Sequence, residues 1–448
     1  MYRDISNATD QYYLEKEIGK LESRVSAIIA GIRKAFESGK NGVSMLRDER
    51  DILRKFLFVM KYRGQGYHRR FHGDESGNYV TEDKEQLKKY MQEKGYKNPI
   101  DVWFRSIKTI LELKMDLEGK WKDKLRAEIY LDDALRFILH VEWYYLAFCT
   151  PDDPNGEFIL TANCYNVHEG TNSVGLNPET KKYEVVQWTS FHEFSPITPK
   201  LMLVLRSNLL PNPEEDINEV VKNCRRELYE IKARAHANPA TVKSMLEDLP
   251  VKKPRNSYSQ VSTEGIQYLP GEDGSRQSYH RFDFLFFKIT TGQVHKINCV
   301  LLDNAHLTST IAFGSQASLE DTLKHYLQLP VDQGFKVVFH QESDVRLTYL
   351  RKLESVFNSW GSTVNLTYKT ISSVDDTDVS MEELMEQLRK DVLKHLPRQP
   401  SEFMHLYKKL GMPNSPHFYV VLIHIIRGKP RHHFHGYRSS QAYAFSKK

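Results

Sequence analysis

The chain has 448 residues, of which 40% are hydrophobic and 27% charged, and its formal net charge is +5. These values exclude a low-complexity or strongly charged disordered chain and are typical of a globular protein too long for one compact core. The small positive charge permits an anionic partner without requiring one. The cysteines are widely spaced, without a C-x-x-C pair, which favours reduced thiols over a zinc module or a disulfide framework.

Nothing in the sequence predicts secretion or a membrane span. No apolar segment follows the first residues, and the longest apolar run, 137–150, contains His140 and Glu142. That run is also too short to cross a bilayer. We therefore predict an intracellular protein, cytoplasmic or nuclear, without a transmembrane segment.

The first 150 residues predict helices. Apolar residues recur at steps of three and four over residues 14–36, which is typical of an amphipathic helix, and a second helix is predicted over 45–63. Further helices are predicted around 83–94, 98–113 and 134–149. Short loops between the first two favour an antiparallel pair.

Strand patterns begin at residue 156, after a turn-rich segment. We predict two strands over 158–165 and 194–206 that form a pair, with a third over 183–188 and a helix over 214–236. Residues 249–262 are rich in proline, serine and charge and are predicted to be a linker.

The rest of the chain predicts mixed structure: strands at 282–287, 307–313 and 418–426, and helices at 294–302, 319–329, 344–359 and 382–395. The predicted fold class is α+β. A helical N-terminal bundle with a small β-sheet occupies residues 1–248, and a mixed α/β region occupies 263–448.

The most promising candidate catalytic residues stand near the ends of the predicted strand pair: Asn163, His168, Glu169 and His192. If the strands are adjacent, these side chains could converge in a cleft and serve an acid/base or metal-assisted hydrolase, such as a phosphodiester-cleaving enzyme. Ordinary loop polarity at strand ends is the simpler interpretation.

A basic segment follows the second predicted helix. Arg63, His68, Arg69, Arg70 and His72 could form an anion site, because arginine forks suit phosphate and carboxylate groups. A solvated basic face explains the same residues. The two histidines stand four apart but lack the glutamate of H-E-x-x-H, so we predict no zinc there.

Two other charged runs each have a simple interpretation. The histidines of 424–435 lie among the arginines and lysine of 427–438 without a nearby carboxylate, which disfavours a dication and favours a solvated basic segment that can contact phosphate. The acids of 47–51 could hold magnesium, but arginines at helical spacing make intrahelical ion pairs the simpler explanation. No metal site is predicted, and no cofactor is identified.

Several segments resemble the family named domain of unknown function 4238, in its fungal branch. Residues 7–16 and 20–23 resemble its acidic helix entry, 158–163 its strand end, and 194–199 its turn before an apolar strand. Residues 46–64 also resemble the fungal branch. The resemblance covers about residues 1–212. It implies a fold but no known activity.

The chain departs from that family's pattern at two places. Nothing here matches the family's histidine-containing segment of the type H-x-x-P-x-x-x-L-R-N-F, so the chain resembles a form that lacks this N-terminal segment. Asn163 stands where the family has an aspartate at the strand end. If the missing groups were catalytic, this copy would be inactive.

Motif absences favour a binding role over a common enzyme class. The chain contains no G-x-x-x-x-G-K-[ST], no G-x-G-x-x-G after a predicted strand and no G-x-S-x-G elbow. The function predicted is therefore a non-catalytic intracellular binding protein with a possible anionic partner. The hydrolase with Asn163, His168, Glu169 and His192 is the alternative.

Overall fold

The computed structural model describes residues 10–64, 71, 84–164, 169, 172–176, 183–188, 190–233, 239–308, 310–330, 335–338 and 345–370. The predicted helix at 382–395 and strand at 418–426 lie outside these residues. The helices are α1 Tyr13–Glu37, α2 Arg47–Arg63, α3 Lys84–Lys94, α4 Pro99–Glu112, α5 Trp121–Glu128, α6 Leu131–Glu142, α7 Glu219–Ala233, α8 Thr291–Asn304, α9 Gln316–Gln328 and α10 Val345–Ser359.

The strands belong to one central sheet and several short pairs. They are β1 Gly42–Leu46, β2 Tyr144–Pro151, β3 Leu160–Thr161, β4 Asn172–Leu176, β5 Tyr183–Trp188, β6 His192–Thr198, β7 Leu201–Ser207, β8 Arg255–Asn256, β9 Ser259–Ser262, β10 Gly265–Tyr268, β11 Arg281–Ile289, β12 Ile311–Ala312, β13 Val337–Val338 and β14 Lys369–Thr370. The central sheet has the order β1-β11-β2-β7-β6, and β8 also pairs with β11. Its strands are antiparallel except β11 and β2, which run parallel.

The central sheet has an apolar core on each face. Along β2, Leu146 and Phe148 face one core, whereas Ala147 and Cys149 face the other, because successive side chains of a strand point to opposite faces. Helices α1 to α7 contribute to the first core, and α8 to α10 contribute to the second. The fold is therefore α+β, with the sheet between two sets of helices.

The first helix forms as its apolar periodicity predicts. Leu14, Ile18, Val25 and Ile32 are all buried along one face of α1. The helix ends at a turn where Gly39 has a φ of 75°, a conformation that favours glycine. Tertiary packing of this buried face, rather than helix propensity, supplies most of such a helix's stability.

Two predicted helices contain a strand. Residues 45–63 begin with the end of β1, because residues 42–46 pair with β11 before α2 starts at Arg47. Residues 134–149 divide into the end of α6 and most of β2, since Tyr144 begins the strand just after the helix. A continuous apolar run does not distinguish a buried helix from a buried strand by periodicity.

The predicted strand pair does not form. Residues 194–206 are a hairpin of β6 and β7 that turns at Pro199 and Lys200, and Pro196 is tolerated because β6 is an edge of the central sheet. The described residues of this range, 158–164, contribute β3, which pairs with β12. The predicted third strand, β5, pairs with β4 in a separate two-stranded sheet.

The segment predicted to be a linker contains strands. β8 lies within residues 249–262 and pairs with β11, and β9 pairs with β10. β11 comes from beyond that segment, yet it lies between β1 and β2. The central sheet thus draws strands from both predicted regions, and the division into residues 1–248 and 263–448 stays a prediction.

Among the described residues, no helix has both the length and the apolarity that a membrane crossing needs. Cys149, Cys164, Cys224 and Cys299, all among the described residues, are buried and form no disulfide. Burial raises the pKa of the Cys164 and Cys299 thiols to about 12, so neither is ionised near neutral pH.

Candidate functional site

The described part of the chain places His192 at the start of the edge strand β6, fully buried. Its neighbour across the strand pair is Arg206 of β7, and Arg206 in turn faces Tyr145 of β2. The three residues therefore form a row across one face of the sheet. The imidazole also stacks on the ring of Phe194, two residues along the same face, with ring centroids 5.8 Å apart.

Both ring nitrogens of His192 are occupied. Nδ1 lies 2.7 Å from Oε2 of Glu169, and Nε2 lies 2.9 Å from Nη1 of Arg206. A guanidinium can only donate, so Nε2 accepts and Nδ1 carries the proton that is donated to the carboxylate. The hydrogen-bond partners thus assign a neutral imidazole with its proton on Nδ1.

Glu169 is held by both its backbone and its carboxylate. Its N–H donates to the carbonyl of His192, and its carbonyl accepts from the N–H of Phe191. Oε1 accepts from Oγ of Ser244 at 2.8 Å and from the N–H of Met245 at 2.7 Å. A carboxylate that accepts several hydrogen bonds is fixed in its orientation.

Arg206 joins the sheet to the segment around residue 246. Nη2 donates to the carbonyls of Glu247 at 2.9 Å and Pro211 at 3.3 Å, and Nη1 donates to that of Leu246 at 3.3 Å. Its Nε is buried and has no hydrogen-bond partner among the described residues. The side chain thus links β6, β7 and the 244–247 segment.

The Glu169–His192–Arg206 network is electrically balanced. One carboxylate and one guanidinium flank a neutral imidazole. Burial lowers the pKa of His192 below its ordinary value, although the charge and hydrogen bond of Glu169 oppose that shift. A general base needs a nitrogen that can reach substrate. Here Arg206 donates to that nitrogen, so in this geometry both ring nitrogens already have partners within the protein.

The sequence placed four residues in one cleft, and the structure brings two of them together. Glu169 and His192 form the contact described above. Asn163 instead donates from Nδ2 to the carbonyl of Asn304 at 2.6 Å, and its Oδ1 is buried without a partner among the described residues. His168 lies outside the described residues.

The predicted anion residues are mostly outside the described part of the chain. Arg63 is described, and its Nη1 lies 3.0 Å from Oε1 of Glu22 in α1. His68, Arg69, Arg70 and His72 are outside, as are residues 427–438. The anion site proposed for this segment therefore stays a prediction.

The acids of residues 47–51 serve the start of α2. Asp51 pairs with Arg50 at 2.7 Å, and Asp48 pairs with Arg24 of α1 at 3.1 Å. Glu49 accepts from the N–H of Leu46 at 2.8 Å, as a glutamate does in a capping box. One of these ion pairs is within the helix, and the other joins two helices.

A second buried histidine has the same kinds of partners. Nδ1 of His280 accepts from Nη2 of Arg47 at 3.0 Å, and from the N–H of Gln277. Nε2 therefore carries the proton and donates to Glu272 at 3.1 Å. No local sequence pattern predicts this network, because its members come from α2 and from a loop more than 200 positions away.

Arg206 and Ser244 were also missed. Arg206 could have been noticed as a charged residue that ends the apolar run 201–205. Ser244 carries no such signal, because it reaches Glu169 only through the tertiary fold. Within the described part of the chain, no group of three or more histidine, cysteine or acidic residues could hold a metal ion.

Comparison with known proteins gives one match. A family model described as "Protein of unknown function (DUF4238)" matches residues 1–317. No curated protein and no solved structure matches the chain. The matched range includes Glu169, His192, Arg206 and β11.

Proposed function

The chain belongs to the DUF4238 family, whose description assigns no activity, and we propose from its own residues that it is a non-catalytic binding protein for an anionic partner. The observation that carries the proposal is the engagement of both nitrogens of His192 by Glu169 and Arg206. The most enzyme-like pair in the described residues is thereby used within the protein. We further propose an intracellular role and membership of the fungal branch of the family.

The basic segments supply the reason for an anionic partner. Arg69 and Arg70 lie in one such segment and residues 427–438 in the other. Clustered arginines bind phosphate groups by releasing counterions, so their binding weakens steeply with salt.

The test is binding of the full chain to single- and double-stranded DNA and RNA across a salt series with Mg²⁺ present. Wild type is compared with an Arg69→Gln/Arg70→Gln double variant. The matched control is Arg33→Gln/Arg351→Gln, which removes the same charge from the exposed sides of α1 and α10. A plot of log K against log salt has a negative slope. In the first variant this slope should become less steep by about 1 for each phosphate group that the variant no longer binds. Absence of binding at low salt would overturn the anionic partner.

The Glu169–His192 contact supports one second candidate function. A carboxylate that orients an imidazole also occurs in hydrolases, where the other nitrogen faces the substrate. In this chain, Arg206 would have to move away before Nε2 of His192 could face a substrate. Cleavage of the nucleic acid in the same assay, abolished in a His192→Gln variant that still folds, would support the hydrolase and contradict the non-catalytic role.

A further inference from the structure

Three arginines follow one face of α2, and a fourth comes from the loop before β11. Arg47, Arg50 and Arg54 are three and four residues apart, which places them on the same side of a helix. Arg47 holds the loop against α2, because its Nε donates to the carbonyl of Gln277 at 3.1 Å. Arg276 immediately precedes that residue. We call Arg47, Arg50, Arg54 and Arg276 the arginine cluster.

Two members of the arginine cluster have partners that satisfy them. Arg47 contacts His280 and Gln277, as described. Arg50 pairs with Asp51, and its guanidinium carbon lies 3.9 Å from the centroid of the Phe282 ring. These contacts fix the orientation of the Arg47 and Arg50 guanidinium groups, which lie beside Arg54 and Arg276.

The other two members lack such partners. Arg54 donates from Nη2 to the carbonyl of Tyr144 at 3.2 Å, but its Nε is buried without a partner among the described residues. Arg276 makes no hydrogen bond or ion pair with any described residue. The buried Nε of Arg54 is costly to leave without an acceptor, and Arg276, which is partly buried, has donors to spare.

The surrounding charge is positive. Burial lowers the pKa of Arg54 to about 9, and the charges of Arg50 and Arg276 add to that effect. Arg276 also interacts with Glu142, which pairs with Lys122. The cationic side chains are Arg47, Arg50, Arg54, Lys122 and Arg276, and the carboxylates are Asp51, Glu142 and Glu272.

We propose that Arg54 and Arg276 bind the phosphate group of a small ligand, between α2, the start of β2 and the loop before β11. This inference deepens the proposed function and rests on its premise that the partner is anionic. The excess of positive charge around Arg54 and Arg276 suits a phosphate dianion. Several guanidinium groups can also donate to the several oxygens of one phosphate group, whereas a single carboxylate offers only two oxygens.

The test uses the full chain and inorganic phosphate as the probe, with sulfate and acetate at the same ionic strength. Calorimetry measures affinity, and thermal unfolding measures stability with and without each anion. Arg276→Gln is the test variant, because no described residue depends on that side chain. Arg351→Gln is the control, since it removes the same charge from an exposed position on α10.

Phosphate should bind wild type and raise its unfolding temperature, because a ligand that binds only the folded state stabilises it. Arg276→Gln should lose at least about tenfold in phosphate affinity, whereas Arg351→Gln should stay within about twofold. Without phosphate, Arg276→Gln should unfold at the same or a higher temperature, since it relieves repulsion. A lower unfolding temperature would make Arg276 a structural residue and overturn the site.

Other results would also overturn the site. Phosphate that acts no better than acetate excludes a phosphate site, and an equal decrease in both arginine variants indicates a general charge effect. If the chain binds nucleic acid but not inorganic phosphate, this inference is rejected and the proposed function remains. If the chain binds neither phosphate nor nucleic acid, both this inference and the proposed function are rejected. Phosphate binding abolished only in Arg276→Gln supports the site whatever the nucleic acid does.

Discussion

At the residue scale, His192 lies between two opposite charges and bonds to both. Its neutral ring donates to Glu169 and accepts from Arg206, so that neither ion is left without a partner inside the protein. Buried ions are tolerated when they are paired and hydrogen-bonded, and removal of one group from such a set is strongly destabilising. The role of His192 is therefore measurable as stability.

His192→Ala should lower the free energy of unfolding by about 3–5 kcal/mol, because it leaves Glu169 and Arg206 without their shared partner. His295→Ala is the comparison, since His295 is only partly buried and its partner Asp321, at 2.7 Å, is exposed. A pair with one exposed member contributes less than a fully buried network. Urea denaturation at pH 7 measures both. Equal small effects would show that the buried network does not stabilise the fold.

His140 makes a prediction about pH. Burial, and then the charge of Lys61, lowers its pKa to about 3. Nε2 donates to the carbonyl of Arg54, and Nδ1 is buried without a partner among the described residues. The unfolded state, with a pKa near the ordinary value, binds a proton at a pH where the folded state does not. Stability from this group is therefore complete above about pH 6.5 and is lost as pH falls towards about 3.

Between pH 7 and pH 5, His140 should account for about 2 kcal/mol of lost stability. His140→Gln cannot take up the proton, so its loss over the same interval should be smaller by that amount. Urea denaturation of both proteins at the two pH values measures the difference. The shift of His192 acts in the same direction in both proteins and cancels in the comparison. Identical pH dependence would contradict the lowered pKa.

At the element scale, Gly42 permits the close approach of β1 to β11. A Cβ atom on Gly42 would overlap the carbonyl oxygen of Phe284, which precedes Leu285, the residue that pairs with Gly42 in β11. Gly42→Ala should therefore force the strands apart and cost about 1–3 kcal/mol. The control is Gly31→Ala in α1, where nothing lies within 4 Å of an added Cβ. That control should instead stabilise by about 0.5–1 kcal/mol. Denaturant unfolding measures the change in stability for both variants. Changes of the same sign in the two variants would contradict the strand contact.

At the scale of the whole molecule, β11 decides whether the N-terminal region can fold by itself. It supplies Phe282 and Phe284 to the core that packs against the N-terminal helices, and it pairs with both β1 and β2. A fragment of residues 1–248 lacks that strand. We expect it to show no cooperative unfolding, whereas residues 1–370, which keep every described element, should unfold cooperatively. Circular dichroism during denaturation distinguishes them, and a cooperative 1–248 fragment would establish the predicted domain.

The sequence alone determined the elements whose signal is local. The three-to-four spacing of Leu14, Ile18 and Val25 predicts α1 within a few residues of its bounds, because helix periodicity follows from neighbours along the chain. The α+β class followed in the same way. For the candidate site, polar residues near strand ends identified Glu169 and His192.

Only the tertiary structure decided which strands pair and which charges meet. Every strand offers the same backbone donors and acceptors, so no local pattern could show that β11 lies between β1 and β2. The apolar run at 134–149 could not reveal its change from helix to strand, because both states bury it. Arg206 blocks Nε2 of His192 only because β6 folds back along β7. That pairing places His192, the predicted acid/base residue, between two buried hydrogen-bond partners.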